Sequence, residues 1–331
     1  LGIGCFNVES LMEMQVIDAL AASKGVRANV SLRINPNIDA HTHRYVTTGL
    51  YENKFGISRH EFEAAIDILK GSKALDFKGL HFHIGSQITD VEPVYSLECE
   101  RAAEIVEWFE AHGMEVGSID LGGGLGVDYD EPDENPVPDF EKWFSIIDRK
   151  LRRRPEQSVS IEPGRSMVAQ CGSLITRVLF VKSGETKTFL IMDAGMNDLI
   201  RPALYGAYHK IENLSVHYAR TESAESEDLT RHHQMPAGEQ RSGGLALGCA
   251  RRPDRPLEKG VGGIESERLY DIVGPVCESS DVWGEGRELP YSKRGDILAI
   301  RSTGAYGSVM SSRYNLRDLA PAVFSDDMKL K

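Results

Sequence analysis

Short apolar runs and longer amphipathic stretches alternate along the first half of the chain. From Asn7 to about Ile161 one order repeats: an apolar run, a polar or glycine-rich turn, then a stretch with apolar side chains three and four apart. The runs Gly4–Val8, Asn29–Asn35, Gly79–Ile84, Ser118–Leu121 and Ser158–Ile161 predict strands. Ser10–Lys24, Ser58–Lys70, Ser96–His112 and Asp139–Arg153 predict helices between them. Ser10 offers a cap to the first helix, and Ser58 with Glu61 spells a capping box at the second. Strands and helices alternating at this spacing predict an α/β fold, a parallel sheet or a (β/α)8 barrel of the TIM type.

Beyond Cys171 the rhythm changes. Ser173–Val181, Thr188–Asp193, Tyr270–Val273 and Asp296–Ile300 predict strands, with one helical interval from Leu199 to about Ile211. The pattern therefore divides the chain into an α/β domain, 1–170, and a mainly β domain, 171–331. Ala219–Leu269 contains no Phe, Trp or Tyr and is rich in Gly, Arg, Glu and Ser. Such a stretch buries too little apolar surface to offset its ordering entropy, so a disordered insertion is expected over 217–268.

Composition narrows the function. With 331 residues, 41% hydrophobic and 27% charged, the chain has the make-up of a globular protein of two domains, or of one barrel with an appendage. Its 38 basic against 50 acidic side chains, net charge -12, argue against nucleic acid as a partner, which needs cations to displace counterions. No apolar run approaches the roughly 18 residues of a membrane-spanning helix. The five cysteines are odd in number, scattered and without a CxxC pair, which fits a reducing cytoplasm and neither zinc nor a redox centre. Leu1–Val8 reads as a buried strand rather than a signal segment, so the chain is expected to begin inside a domain.

In a βα barrel, reactive groups collect where strands end. His81 and His83 flank Phe82 at one such end, so strand periodicity puts both on one side. A two-histidine metal site would require a further His or carboxylate at a matching strand end; the sequence shows none, and no metal is expected. Gly122, Gly123 and Gly124 follow the strand Ser118–Leu121 and let backbone N–H groups turn towards an anion, though a plain tight turn explains them equally well. Val127 stands where a dinucleotide fingerprint needs glycine. The next strand ends in Glu162-Pro163-Gly164-Arg165, an acid beside an arginine able to chelate an anion. Two anion-seeking strand ends with an acid between them suit a ligand carrying a phosphate and a basic ring nitrogen, such as pyridoxal 5'-phosphate.

Six separated strings in one order carry a resemblance. They are Cys5–Ser10, Thr48–Leu50 with Asn53–Ile57, His81–Gln87, Glu162–Arg165, Arg201–Tyr205 and Gly274–Ser279. Together they closely resemble the diaminopimelate decarboxylases, within the fold-type III pyridoxal-phosphate enzymes, over Leu1 to about Ser215 and Tyr270 to about Asp327. The resemblance implies a barrel, here incomplete at its N-terminus, followed by a β domain, and decarboxylation of meso-diaminopimelate to lysine. It implies that His83 stacks on the pyridine ring, that Ser86, Gly122–Gly124, Pro163, Gly164 and Arg165 surround the phosphate, and that Glu162 meets the ring nitrogen. Arg165, Arg201, Tyr205 and Glu278 would contact substrate, Tyr306 both cofactor and substrate, and Cys277 would donate a proton. The spacing of Arg201 and Tyr205 puts them on one helical face.

Further implications are a homodimer with a shared active site and no nucleic-acid or membrane partner. The family's cofactor lysine sits in a tyrosine-alanine-x-lysine-alanine motif that does not occur in these 331 residues, so the chain taken alone is expected to be inactive. A decarboxylase of arginine, ornithine or carboxynorspermidine, or a non-catalytic homologue, is the competing expectation. Arg201 discriminates, because a substrate without a distal carboxylate leaves its guanidinium without a partner.

Overall fold

The structure, a computed structural model, describes residues 2–38, 54–216 and 267–325. The expected insertion, 217–268, lies outside the described residues save its last two, and so do Thr48–Leu50 and Asn53. The chain forms two compact units, one of Leu1–Leu174, Met196–Lys210 and Ile300–Lys331, the other of Ile175–Gly195 and Ile211–Ala299. The first unit thus takes in two later segments besides the stretch expected from the sequence rhythm.

The first unit is built on five parallel strands, β1 (Phe6–Val8), β2 (Ala28–Arg33), β3 (Leu75–His81), β4 (Ser118–Asp120) and β5 (Ser158–Ser160). They lie side by side in sequence order. Helices α1 (Leu11–Ser23), α2 (Phe62–Gly71), α3 (Val91–Ala111) and α4 (Phe140–Lys150) connect them. A sheet in strict sequence order with a helix in every connection is the winding of a βα barrel. The Ser10 side chain caps α1 by accepting from the Glu13 N–H at 3.2 Å, and the Glu61 carboxylate accepts from the Ser58 N–H at 3.0 Å, as the sequence predicts.

Burial follows the pattern of a sheet covered by helices. Val30 and Leu32 of β2, Leu80 of β3 and Ile119 of β4 pack with Phe62 of α2 and with Cys99, Ala102, Val106 and Phe109 of α3. Each large side chain buried in this way contributes about 1.5–3 kcal/mol. A second cluster, Ile84, Ile88 and Leu125 with Tyr95 of α3 and Trp143 of α4, underlies the loops that leave β3 and β4. Those loops are thereby fixed in place, and they carry most of the candidate site.

Several boundaries differ from expectation for identifiable reasons. Helix α3 begins at Val91 instead of Ser96, because Pro93 falls in the first turn, where its missing N–H has no intrahelical acceptor. Strand β3 begins at Leu75 instead of Gly79, and its pairing with β2 shifts register after Phe77. A one-turn helix, α5 (Arg165–Val168), follows β5, and the expected helix from Leu199 to Ile211 is only α6 (Arg201–Tyr205), closed by Gly206 at φ 62°.

The second unit is a six-stranded sheet of β6 (Leu174–Ser183), β7 (Thr188–Met192), β8 (Ile211–Asn213), β9 (Arg268–Val273), β10 (Val282–Leu289) and β11 (Ile297–Ile300). Their order is β10-β9-β7-β6-β11-β8. Strand β10 escapes sequence reading because Gly284, Glu285, Gly286 and Arg287 interrupt its apolar pattern.

One buried group has a measurable consequence. Glu98 of α3 is 1% exposed, and neither carboxyl oxygen has a hydrogen-bond partner among the described residues. Burial, reinforced by the Asp120 carboxylate, holds its pKa well above the ordinary value, so the folded protein carries Glu98 protonated. An acid whose pKa is raised by folding leaves stability intact below its unfolded pKa and erodes it as pH rises towards the folded value, by about 1.4 kcal/mol per pH unit. Glu98→Gln is therefore expected to gain stability relative to the wild type as pH rises from 5 to 8. Denaturant unfolding of both proteins at the two pH values checks this; parallel pH dependence would assign Glu98 no such burden.

Candidate active site

The loops after β3 and β4 are laced together. Gln87 donates to the Val127 carbonyl at 2.7 Å and accepts from the Val127 N–H at 3.2 Å, while Tyr95 donates to the Gly123 carbonyl at 3.2 Å. Gly122 and Gly124 have φ of 67° and 102°. A Cβ on Gly122 would stand 2.3 Å from the Phe82 carbonyl oxygen, and one on Gly123 2.2 Å from that of Glu162. These glycines are needed where the ends of β3, β4 and β5 crowd together. The anion cradle expected of Gly122–Gly124 needs correction: the Gly122 N–H donates to Asp120 at 2.8 Å and the Gly123 N–H to Nδ1 of His83 at 3.2 Å. Only the Gly124 N–H lacks a protein acceptor among the described residues.

Because His83 accepts at Nδ1, its neutral ring carries the proton on Nε2. Burial, then the Arg33 cation and His81, push its pKa down to about 4, so the imidazole stays uncharged near neutrality. The Glu162 carboxylate is half exposed; it meets His81 Nε2 at 3.2 Å and accepts from Asn7 Nδ2 at 3.4 Å, with room for a further donor. Nδ1 of His81 is buried without a partner among the described residues.

The sequence predicts no carboxylate at a strand end matching these histidines. The structure supplies two: Asp120 and Glu162 bring oxygens to His81, all three ligand atoms lying within 4.8 Å of one another. The signal was present: Asp120 ends β4, beside β3, and Glu162 follows β5, one strand further on.

Past this wall opens a cavity of about 720 Å³, lined among others by Ser86, Tyr129, Arg165, Arg201, Tyr205 and Tyr306. Arg165 and Arg201 are each 6% exposed. Arg165 donates from Nε and Nη2 to the Ser86 hydroxyl at 3.2 and 3.0 Å and from Nη1 to the Tyr129 hydroxyl at 2.8 Å, with Tyr306 stacked 4.9 Å from its guanidinium carbon. Arg201 donates only from Nη1, to the Tyr129 hydroxyl at 3.0 Å and to Nε2 of His209 at 2.8 Å. Its Nε and Nη2 have no partner among the described residues. Two buried guanidiniums held by neutral groups, one with an open edge, attract an anionic ligand.

Glu162 and Arg165 do not pair with each other among the described residues; each faces other partners. Pro163 and Gly164 follow Glu162, and a Cβ on Gly164 would meet nothing within 4 Å, leaving space beside the backbone there. Cys277 and Glu278 belong to the other unit, where the Cys277 thiol is exposed and the Ser280 hydroxyl donates to Glu278 at 2.9 Å. Tyr129 and His209 were missed in the sequence; His81 was singled out beside His83, but not as a partner of Glu162. Among the described residues, no lysine lines the cavity.

These residues fit pyridoxal phosphate: a neutral imidazole suits stacking, Glu162 can accept from a ring N–H, and Ser86, the Gly124 N–H and Arg165 gather donors for a phosphate. Residues 1–169 match the family described as pyridoxal-dependent decarboxylase, pyridoxal binding domain. A diaminopimelate decarboxylase of Bacteroides thetaiotaomicron is 45% identical over 99% of this chain, which spans 72% of that protein. One from Haemophilus influenzae is 38% identical over 98% of this chain, which spans 66% of it. Among solved structures, diaminopimelate decarboxylase from Helicobacter pylori complexed with L-lysine aligns with TM-score 0.73 and 38% identity, covering 95% of this chain and 66% of the other.

Proposed function

This chain belongs to the diaminopimelate decarboxylases of the pyridoxal-dependent decarboxylase family, and on that footing we propose that its cavity serves the decarboxylation of meso-2,6-diaminopimelate to L-lysine in a protein that also carries the family's cofactor lysine, the 331 residues taken alone being inactive. The observation that carries the proposal is the pair of buried arginines, with the open Nε and Nη2 edge of Arg201 facing a cavity large enough for a seven-carbon diacid. Pyridoxal phosphate, when bound, supplies the electron sink that accepts the pair released as CO2 departs.

The protein's own residues do the rest. His83 would hold the ring with its neutral imidazole, and Glu162 would keep a proton on the ring nitrogen. Ser86, the Gly124 N–H, the space beside Gly164 and the guanidinium of Arg165 hold the phosphate end. Arg201 reads the distal carboxylate side-on, Tyr205 and Tyr306 close the walls, and Glu278 meets the distal ammonium. Sγ of Cys277 returns the proton to the carbon that has lost CO2.

The site is proposed to be shared across a homodimer, Cys277 and Glu278 of one protomer completing the cavity of the other. Four described cysteines are free and no described helix is long and apolar enough to cross a membrane, which supports a cytoplasmic setting. The test of sharing uses two inactive variants of the full-length, lysine-bearing protein, Arg201→Ala and Cys277→Ala. After subunit exchange the mixture is expected to regain about a quarter of wild-type activity, since half the dimers are then mixed and each holds one intact site. Exchange without recovery would place the whole site within one protomer.

A further inference from the structure

His209 is 1% exposed and does not line the cavity, yet it bonds to the arginine that does. Its Nδ1 lies 2.8 Å from the Arg301 carbonyl, which can only accept, so the proton sits on Nδ1 and Nε2 presents a lone pair. That lone pair accepts from Arg201 Nη1 at 2.8 Å. The second Nη1 hydrogen goes to the Tyr129 hydroxyl at 3.0 Å, and the Tyr129 ring meets His209 edge-on at 4.9 Å between centroids. Both hydrogens on Nη1 are thereby committed. In a planar guanidinium this fixes the direction of the remaining side edge, Nε with Nη2.

The frame behind this arrangement is itself clamped. The Tyr129 carbonyl accepts from the Lys210 N–H at 3.2 Å, and the Arg301 N–H donates to the Lys210 carbonyl at 2.9 Å. Lys210 pairs with Glu131 at 2.6 Å, and Arg301 pairs with Asp133. The loop 129–133, residues 209–210 and Arg301 are tied together, so the imidazole cannot swing away from Arg201. By contrast, Arg165 spends its own side edge on the Ser86 hydroxyl. Of the two arginines, Arg201 alone offers an open fork.

We infer that His209, backed by Tyr129, is the positioning residue that aims the Arg201 fork and so sets selectivity for a ligand bearing a distal carboxylate. This rests on the reading of Arg201 as the carboxylate reader. A hydrogen bond to a charged donor, lost behind a fork, costs aim at the fork itself; the expected effect falls on carboxylate recognition and spares the cofactor end.

The test, in a full-length protein that carries the cofactor lysine, measures calorimetric affinity of the cofactor-loaded form for L-lysine, which keeps the distal carboxylate, and for cadaverine, which has none. His209→Phe is expected to weaken lysine binding about tenfold, leave cadaverine and cofactor absorbance unchanged, and raise KM for diaminopimelate with kcat within about twofold. His209→Gln, which keeps an acceptor towards Nη1 and a donor towards the carbonyl, is expected to recover most of the loss. Unchanged lysine affinity in His209→Phe, equal losses for both ligands, or no recovery with glutamine would overturn the inference. Arg201→Ala, run alongside, separates the two claims: if it binds lysine normally the carboxylate-reader reading fails, whereas if it loses lysine and His209→Phe does not, only the role of His209 fails.

Discussion

Arg201→Ala, in the full-length protein with its cofactor lysine, is expected to lower kcat/KM for diaminopimelate by about a hundredfold to a thousandfold while the cofactor absorbance stays as in the wild type. The size follows from where the guanidinium lies. It is buried, has no carboxylate partner among the described residues, and its charge is opposed by desolvation and by the neighbouring Arg165, so its pKa sits below the usual arginine value. A cation kept there against those costs pairs best with an anion brought by the ligand. The truncation removes that partner from a desolvated carboxylate and leaves Nε2 of His209 and the Tyr129 hydroxyl facing a void. Steady-state kinetics with spectra of the bound cofactor make the measurement, and near-normal turnover of diaminopimelate would remove Arg201 from substrate recognition.

The second large effect is expected at Glu162. Glu162→Ala should reduce turnover on the order of a hundredfold or more with the cofactor still bound, because the electron sink depends on a charge fixed at the ring nitrogen. The structure adds that Glu162 is itself oriented, by His81 Nε2 on one oxygen and Asn7 Nδ2 on the other, from the ends of β3 and β1. Single-turnover decarboxylation and cofactor affinity, measured together, distinguish the roles: a slow step with retained cofactor supports the electronic role, and unchanged turnover excludes it.

Much of this architecture was legible in the sequence because the first unit is built from local signals. Each βα repeat declares its strand by an apolar run and its helix by a cap and a stripe, and β1 to β5 with α1 to α4 all appear where those signals fall. What failed was local too: Pro93 looked like a breaker, Gly206 ended a helix that hydrophobicity alone would continue, and β10 was masked by its glycines and charges. In the site, residues in compact motifs such as His83, Glu162 and Arg165 could be named from the chain. Tyr129 and His209 could not, because their meaning comes from meeting Arg201 across 72 and 8 residues of sequence. The glycine run is the instructive intermediate case. Its flexibility was correctly read, but Gly122 and Gly123 use it for close packing of strand ends, with their N–H groups turned to Asp120 and His83.

The central claim, that this cavity selects a substrate with a carboxylate at each end, is tested most directly by substrate competition. A full-length wild-type protein that carries the cofactor lysine, loaded with cofactor, is given meso-diaminopimelate, L-ornithine and L-arginine, and CO2 release is measured as kcat/KM for each. Diaminopimelate is expected to lead by about a hundredfold or more, since only it satisfies the open fork of Arg201. Faster release from ornithine or arginine would show that the buried guanidinium serves some other purpose and that the substrate assignment is wrong.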